Sequence, residues 1–238
     1  MAVQSLTRMS SRRKNSIREI RRAELSAAVF EAVVRYGIRK TTLEKVGVIA
    51  GVSKGVVLHH FSDKSSLLEA VFRRSNKLLS ESLIELYEHT ESSYERLWAI
   101  VVANFCETIF NRKVCQAYVS LSAEIPHSSQ CQRIQTACNA RIQSNLRHEL
   151  KHFLPPEECK RSAQLLGMLI DGIWIRGGLD STTPLSNSAI SDMEYAILKF
   201  LPNDKNSAEK HRMAREKMEH IATMVLGSRA YKEKALSA

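Results

Sequence analysis

Apolar residues recur every three or four positions through most of the chain, the period of helices packed against one another. Between positions 17 and 36, Ile20, Leu25, Ala28, Val29 and Ala32/Val33 form one stripe for burial, and Gly37 ends the segment. Thr41 then opens a short helix. Its hydroxyl can cap the first turn, and Glu44 three residues later completes a capping box. Leu43, Val46 and Ile49/Ala50 face inward, and Gly51 stops the helix because a residue without a Cβ enters the left-handed region at little cost. Ser53 caps a second short helix, Lys54 to about Phe61, with Val57 and Phe61 four apart on its inner face. Ser53, Lys54, Gly55, Val56, His59 and His60 are left outside. Two capped helices around a glycine turn have the geometry of a helix-turn-helix, whose second helix can enter a major groove. The same pattern also suits plain helix packing.

A corner at residues 62–64 leads into a long helix over about 65–89, with Leu67/Leu68, Val71/Phe72, Leu78/Leu79, Leu83 and Leu86 on its apolar face. Helical patterns follow over 94–110, 114–124, 128–153, 156–179 and 184–201. The breaks fall at Pro126, at Pro155-Pro156, and from Gly177-Gly178 through Pro184. Residues 203–207 read as a linker, and 208–226 as an amphipathic helix (Ala214, Met218, Ile221/Ala222, Val225) stopped by Gly227. That last helix is expected as a loosely docked extension, with a partner-binding helix as the other reading. The expected fold is all-α. It has a disordered arm (1–16), a three-helix helix-turn-helix domain (17–64), a larger helical domain (65–201) and a C-terminal extension (202–238).

Only nine glycines and five prolines interrupt the 238 residues, in keeping with helices throughout. The formal charge of +10 matters through its placement. Arg8, Arg12, Arg13, Lys14, Arg18, Arg21 and Arg22 face a single Glu19. A basic run is usually a solvated segment, but one set directly before a helix-turn-helix favours phosphate contact. The five cysteines form no CxxC pair and leave one over, against a disulfide framework or a zinc site. No apolar run approaches the roughly 20 residues of a membrane span, and the N-terminus has no hydrophobic core of an export signal, so a cytoplasmic protein without a membrane partner is expected. His127, His148 and His152 accompany no nucleophile motif, and His148/His152 lack the HExxH pattern. No enzymatic activity, metal or cofactor is expected.

The run Thr42-Leu43, Ala50-Gly51-Val52-Ser53-Lys54-Gly55, His60-Phe61, Lys64 and Leu67-Leu68 resembles the N-terminal domain of TetR-type transcriptional repressors. Further on, Ala99-Ile100-Val101, Asn104-Phe105, Ala123, His127, Asn145-Leu146, the run Leu169 to Arg176 and Leu179 resemble the choline-responsive subgroup that controls glycine-betaine biosynthesis genes. The match covers about residues 20–201. By this resemblance Thr42, Ser53 and Lys64 are phosphate contacts, while Lys54, Gly55 and Val56 are candidates for facing base edges. His59 and His60 donate to DNA or pack. Many relatives carry Tyr or Ser where this chain has Leu58.

Asp171 and Trp174, three apart on one helix face, could hold a quaternary ammonium by charge and cation–π attraction, with Phe105 and Tyr118 completing an aromatic lining. The competing reading is a subunit interface, with Gly167, Gly172 and Gly177 permitting close approach. Tyr118 and Ser122 stand where the subgroup has tryptophans. The expected partners are double-stranded operator DNA, a small effector such as choline, and a second copy of the chain. That homodimer would form through a four-helix bundle of the segments 164–179 and 190–201, which present Leu165, Leu166, Met168, Leu169, Ile173, Ile190, Met193, Ile197 and Leu201. The implied function is a DNA-binding repressor of choline uptake and glycine-betaine synthesis. A repressor of an unrelated efflux or catabolic pathway is the alternative. A helical enzyme or adaptor, in which the helix-turn-helix only packs, is the reading from another class.

Overall fold

The computed structural model describes residues 20–201 and 205–228, and of Lys64 and Lys205 the backbone alone. The arm of residues 1–16 lies outside the described residues. Among those described, the chain is helical throughout, with no strand. The helices are α1 (residues 20–36), α2 (Leu43–Ala50), α3 (Lys54–His60), α4 (Lys64–Tyr87), α5 (Ser93–Phe105), α6 (Arg112–Ser122), α7 (Ser129–Leu150), α8 (Pro156–Leu179), α9 (Ser186–Phe200) and α10 (Lys205–Val225). None of them is long and apolar enough to cross a membrane.

Leu25, Ala28, Val29, Ala32 and Val33 of α1 are buried as their spacing predicts, but Ile20 stays exposed at the described end of the helix. Their core takes in Val46, Val57, Phe61, Leu67, Leu68, Val71 and Phe72 from α2, α3, the residue after α3 and the start of α4. It also takes in Ala117 and Leu121 of α6 and Cys131 of α7. The helix-turn-helix is therefore seated on the second domain through α6 and α7 as well as through α4.

The cap of α2 lies one residue later than the sequence suggests. Thr42 caps it, accepting from the Lys45 amide at 3.3 Å, while the Thr41 hydroxyl donates to the Gly37 carbonyl at 2.9 Å. Asp63 heads α4, its carboxylate accepting from the Ser66 amide at 2.7 Å and its own amide donating back to the Ser66 hydroxyl. This reciprocal cap fixes where the long helix leaves the helix-turn-helix.

The pair Gly177-Gly178 does not break its helix. Both residues lie inside α8, and a Cβ on Gly178 would sit 2.4 Å from the Cys115 carbonyl oxygen. The pair lets α6 and α8 approach closely within one chain. Gly167 likewise meets Gln143 of α7, whereas Gly172 faces open space. In contrast, α5 stops at Phe105 without a glycine or proline, and Phe110 folds back so that its ring meets Phe105 edge-on at 5.1 Å.

The C-terminal helix is not a loose extension. Ala214, Met218, Ala222 and the following Leu226 are buried in the same core as α5. The Trp98 indole N–H donates to His211 Nδ1 at 3.3 Å, Lys217 pairs with Glu95 at 3.0 Å, and Arg215 pairs with Glu194 of α9.

Candidate nucleic-acid interface and effector cavity

In the helix-turn-helix, α2 and α3 are joined by a turn that calls for glycine at two positions. Gly51 is left-handed (φ 65°), and the Val52 amide returns to the Gly47 carbonyl at 2.9 Å. A Cβ on Gly47 would lie 2.7 Å from the Val52 carbonyl oxygen. Gly47 was not singled out from the sequence, because helix position alone does not reveal what its missing side chain would strike. Ser53 caps α3 by accepting from the Val56 amide at 3.4 Å. With Val57 and Phe61 fully buried beneath, Ser53, Lys54, Gly55, Val56 and His59 are exposed and His60 is partly so.

Thr42 is exposed at the start of α2, and Lys64 is the first residue of α4, its side chain outside what is described. These residues bring three helix starts, with their unpaired amides, to the same small domain. Lys54 is not free: its ammonium meets the Glu44 carboxylate of α2 at 2.5 Å, which holds that carboxyl below its ordinary range. Leu58 stands exposed on the same helix.

The second site is a cavity of about 850 Å³ of space outside the protein atoms, part of it open to solvent. Tyr118 of α6 and Asp171 and Trp174 of α8 line it together, as their positions on the two helices require. The Tyr118 hydroxyl donates to Asp171 Oδ1 at 3.1 Å, and the Tyr118 and Trp174 rings lie 5.5 Å apart. Burial raises the Asp171 carboxyl above its ordinary pKa, the Tyr118 hydrogen bond opposing it. Burial next to that carboxylate also pushes the Tyr118 hydroxyl up. Asp171 is the one carboxylate among the lining residues, and neither lysine nor arginine joins it there.

Phe105, expected in this lining, is elsewhere. It is wholly buried against Phe110, and Phe110 in turn supports Trp174 edge-on at 5.2 Å. Asn76, Asn104, Gln135 and Asn139 supply polar walls that the sequence did not mark as a set, since they come from three helices. Phe30 of α1 and Phe72 of α4 complete the wall from the helix-turn-helix side.

Comparison with known proteins places this architecture. The model of bacterial regulatory proteins of the tetR family matches residues 25–71, and that of the C-terminal domain of BetI-type transcriptional repressors matches residues 93–202. The HTH-type transcriptional regulator BetI of Escherichia coli (strain K12) is 34% identical over 194 residues, covering 80% of this chain and 99% of that protein. The chain belongs to the TetR family, with a BetI-type second domain. Its BetI-type character extends to a Klebsiella pneumoniae (strain 342) relative that is 32% identical over 80% of this chain and 98% of its own length. Solved structures share the fold. A transcriptional regulator from Saccharomonospora viridis in complex with choline aligns with a TM-score of 0.65 at 18% identity, over 78% of this chain and 99% of that one. The fatty acid degradation regulator FadR from Bacillus halodurans aligns with a TM-score of 0.62 at 13% identity, over 77% and 96%. Members of the family are transcriptional regulators and not enzymes. This TetR-family chain is accordingly a transcriptional repressor, and α10 lies beyond the span of its BetI-type match.

Proposed function

We propose that this repressor binds operator DNA as a homodimer and is released by a small quaternary ammonium compound such as choline, placing genes of choline uptake and glycine-betaine synthesis under its control. The observation that carries the ligand is Asp171, a half-buried carboxylate that shares its cavity with the Tyr118 and Trp174 rings and with no lysine or arginine among the lining residues. A headgroup that is permanently charged and has no proton to donate is held by carboxylate charge and aromatic faces, and such a site offers both. The BetI relatives and the choline complex of the similarly folded Saccharomonospora protein support the same ligand class.

On the DNA side, Lys54, Gly55 and Val56 are the candidates for base edges, with His59 and His60 beside them. Thr42, Ser53 and Lys64 are the candidates for phosphates. The route between the two sites runs through α6. Tyr118 lines the cavity, while Ala117 and Leu121 on the same helix sit in the core of the reading head. Phe30 and Phe72 close the link, since both line the cavity from α1 and α4. A ligand that favours one packing of α6 therefore tilts the reading head, and two heads spaced for successive major grooves lose their common register.

Dimerisation would use only part of the set the sequence pattern suggests, Leu165 and Met168 among it. Leu166, Ile190, Met193, Ile197 and Leu201 are buried within the single chain, so a charge at Ile197 would unfold it rather than split a dimer. Leu165, Met168, Ile175 and Leu179 of α8 form an exposed stripe at spacings of three, seven and four, with exposed Leu185 and Tyr195 at and along α9. This is the face for the second copy. Operator binding followed by fluorescence anisotropy during a choline titration tests the reading. Choline should release the operator, and Met168→Glu should give monomers with unchanged helicity that no longer bind it. Release by uncharged isosteres as readily as by choline would defeat the ammonium assignment.

A further inference from the structure

Beside the effector cavity runs a groove between α4 and α7, lined by Arg73, Lys77, Arg133 and Arg141 with Glu81 as its one carboxylate. Asn76 and Cys138 line both the groove and the cavity, so the two spaces share a wall. Arg73 is tied to Glu69 at 2.7 Å and Lys77 to Glu81 at 3.7 Å. Arg133 and Arg141 have no carboxylate partner among the described residues. The Arg141 guanidinium lies at the shared wall itself, donating to the Asn76 carbonyl at 3.3 Å and reaching Cys138 Sγ at 3.9 Å. Cys138 registers both charges: burial raises its thiol pKa, Arg141 draws it down and Asp171 pushes it up. A carboxylate that lacks a cation thus stands across one side chain from a guanidinium that lacks an anion, and Arg133 lines the same groove.

We propose that the effector site is bipartite and takes a quaternary ammonium compound that also carries an anionic group, a carboxylate or a phosphate. The ammonium lies at Asp171 between Tyr118 and Trp174, and the anion reaches past Asn76 and Cys138 to Arg141 and Arg133. This rests on the ammonium reading of the cavity and extends it. A purely cationic ligand meets a basic rim on this side. An anionic tail turns the same rim from repulsion to attraction, and an arginine fork suits carboxylate and phosphate alike.

The test is calorimetry on the full-length protein with choline, glycine betaine, phosphocholine and inorganic phosphate. Betaine or phosphocholine should bind about three- to fivefold more tightly than choline at low salt, the size expected of exposed charge pairs, and the ratio should shrink as salt rises. In Arg141→Gln with Arg133→Gln the ratio should fall to about one. Because both affinities are measured in the same protein, a folding defect lowers them together and leaves the ratio interpretable. Whichever of the two zwitterions is preferred identifies the anion. Choline binding as tightly as both, or more tightly, would overturn the anionic subsite and leave the ammonium site standing. Inorganic phosphate binding alone, indifferent to Asp171→Asn, would make the groove a separate anion site and also overturn the proposal. If none of the ammonium compounds binds, the cavity reading falls with it.

Discussion

The second domain is built of two unlike halves, one closed around its ionisable group and the other hollow beside a half-buried one. Where α10 lies on α5, His211 is wholly buried, its ring 4.7 Å from Tyr94 and 5.5 Å from Phe153. Its Nδ1 accepts from Trp98, and its Nε2 is buried with no hydrogen-bond partner among the described residues. Where α6 lies on α8, Asp171 keeps one partner, Tyr118, and faces open space. The closed half holds its group neutral, with the Tyr94, Trp98 and Phe153 rings packed around it. The hollow half holds a group that wants a charge of the opposite sign and leaves room for one to arrive. A domain that must respond to a ligand without unfolding needs both, a rigid side to push against and a soft side to move.

The largest effect should come from emptying the closed half. Trp98 is fully buried, so Trp98→Ala creates a cavity and strips His211 of its donor, costing about 3–5 kcal/mol. Tyr118→Ala removes a ring that already borders empty space and should cost distinctly less. Thermal denaturation of the two variants side by side is the measurement, and equal losses would erase the distinction between the halves.

Next in size is Gly178→Ala, which forces α6 and α8 apart. The new Cβ meets a backbone carbonyl, that of Cys115, which cannot swing aside. A loss of about 1–3 kcal/mol is expected, although alanine is the better helix former by roughly 1 kcal/mol. Because α6 carries Tyr118, ligand response should weaken along with stability. A gain in melting temperature would mean that α6 and α8 are free to separate.

These two positions also show what the sequence could and could not reveal. The turn of the helix-turn-helix was legible because its signals are local: Gly51, Ser53 and the four-residue spacing of Val57 and Phe61 act within one turn of chain. Gly178 carried an equally clear local signal, and it misled, since glycine marks either a break or a close approach and only the distant Cys115 decides which. Thr41 and Thr42 stand side by side, so the cap was misplaced by one residue. Phe105 and Phe110 differ in the same way: the first points into the core and the second supports Trp174, because α5 ends where neither glycine nor proline announces it. The docking of α10 was hidden by its charged face. Its buried edge is His211, Ala214, Met218 and Ala222, and its partner Trp98 lies 113 positions from His211.

A third test separates the halves by acidity. Burial lowers the His211 pKa to about 4 from the usual 6.5. The unfolded chain therefore binds a proton there between those values while the native chain does not. Stability is full above pH 6.5 and falls as pH drops towards 4, by a contribution on the order of 2–3 kcal/mol. His211→Gln, which can still accept from Trp98 but cannot titrate, should flatten that part of the melting-temperature profile. A profile unchanged by the substitution would place the acid sensitivity elsewhere.

The smallest effect, and the most telling, belongs to Asp171. Burial raises its pKa, so here the native chain holds the proton more tightly than the unfolded one, and stability falls as pH rises through that window. The sign is opposite to that of His211. At neutral pH, Asp171→Asn removes a charge from the cavity and keeps an acceptor for the Tyr118 hydroxyl, so the variant should be the more stable protein. The gain should be no more than about 1 kcal/mol, because Asp171 is only half-buried and solvent screens it. Towards acid pH the wild-type carboxyl is protonated, and the two melting curves should converge. Ligand binding should move the other way. The variant loses its attraction for a quaternary ammonium, and in the wild type that attraction should fade as pH drops through the same window. A destabilised variant at neutral pH would show that the Tyr118–Asp171 hydrogen bond outweighs the cost of the buried charge. The hollow half would then be held as firmly as the closed one.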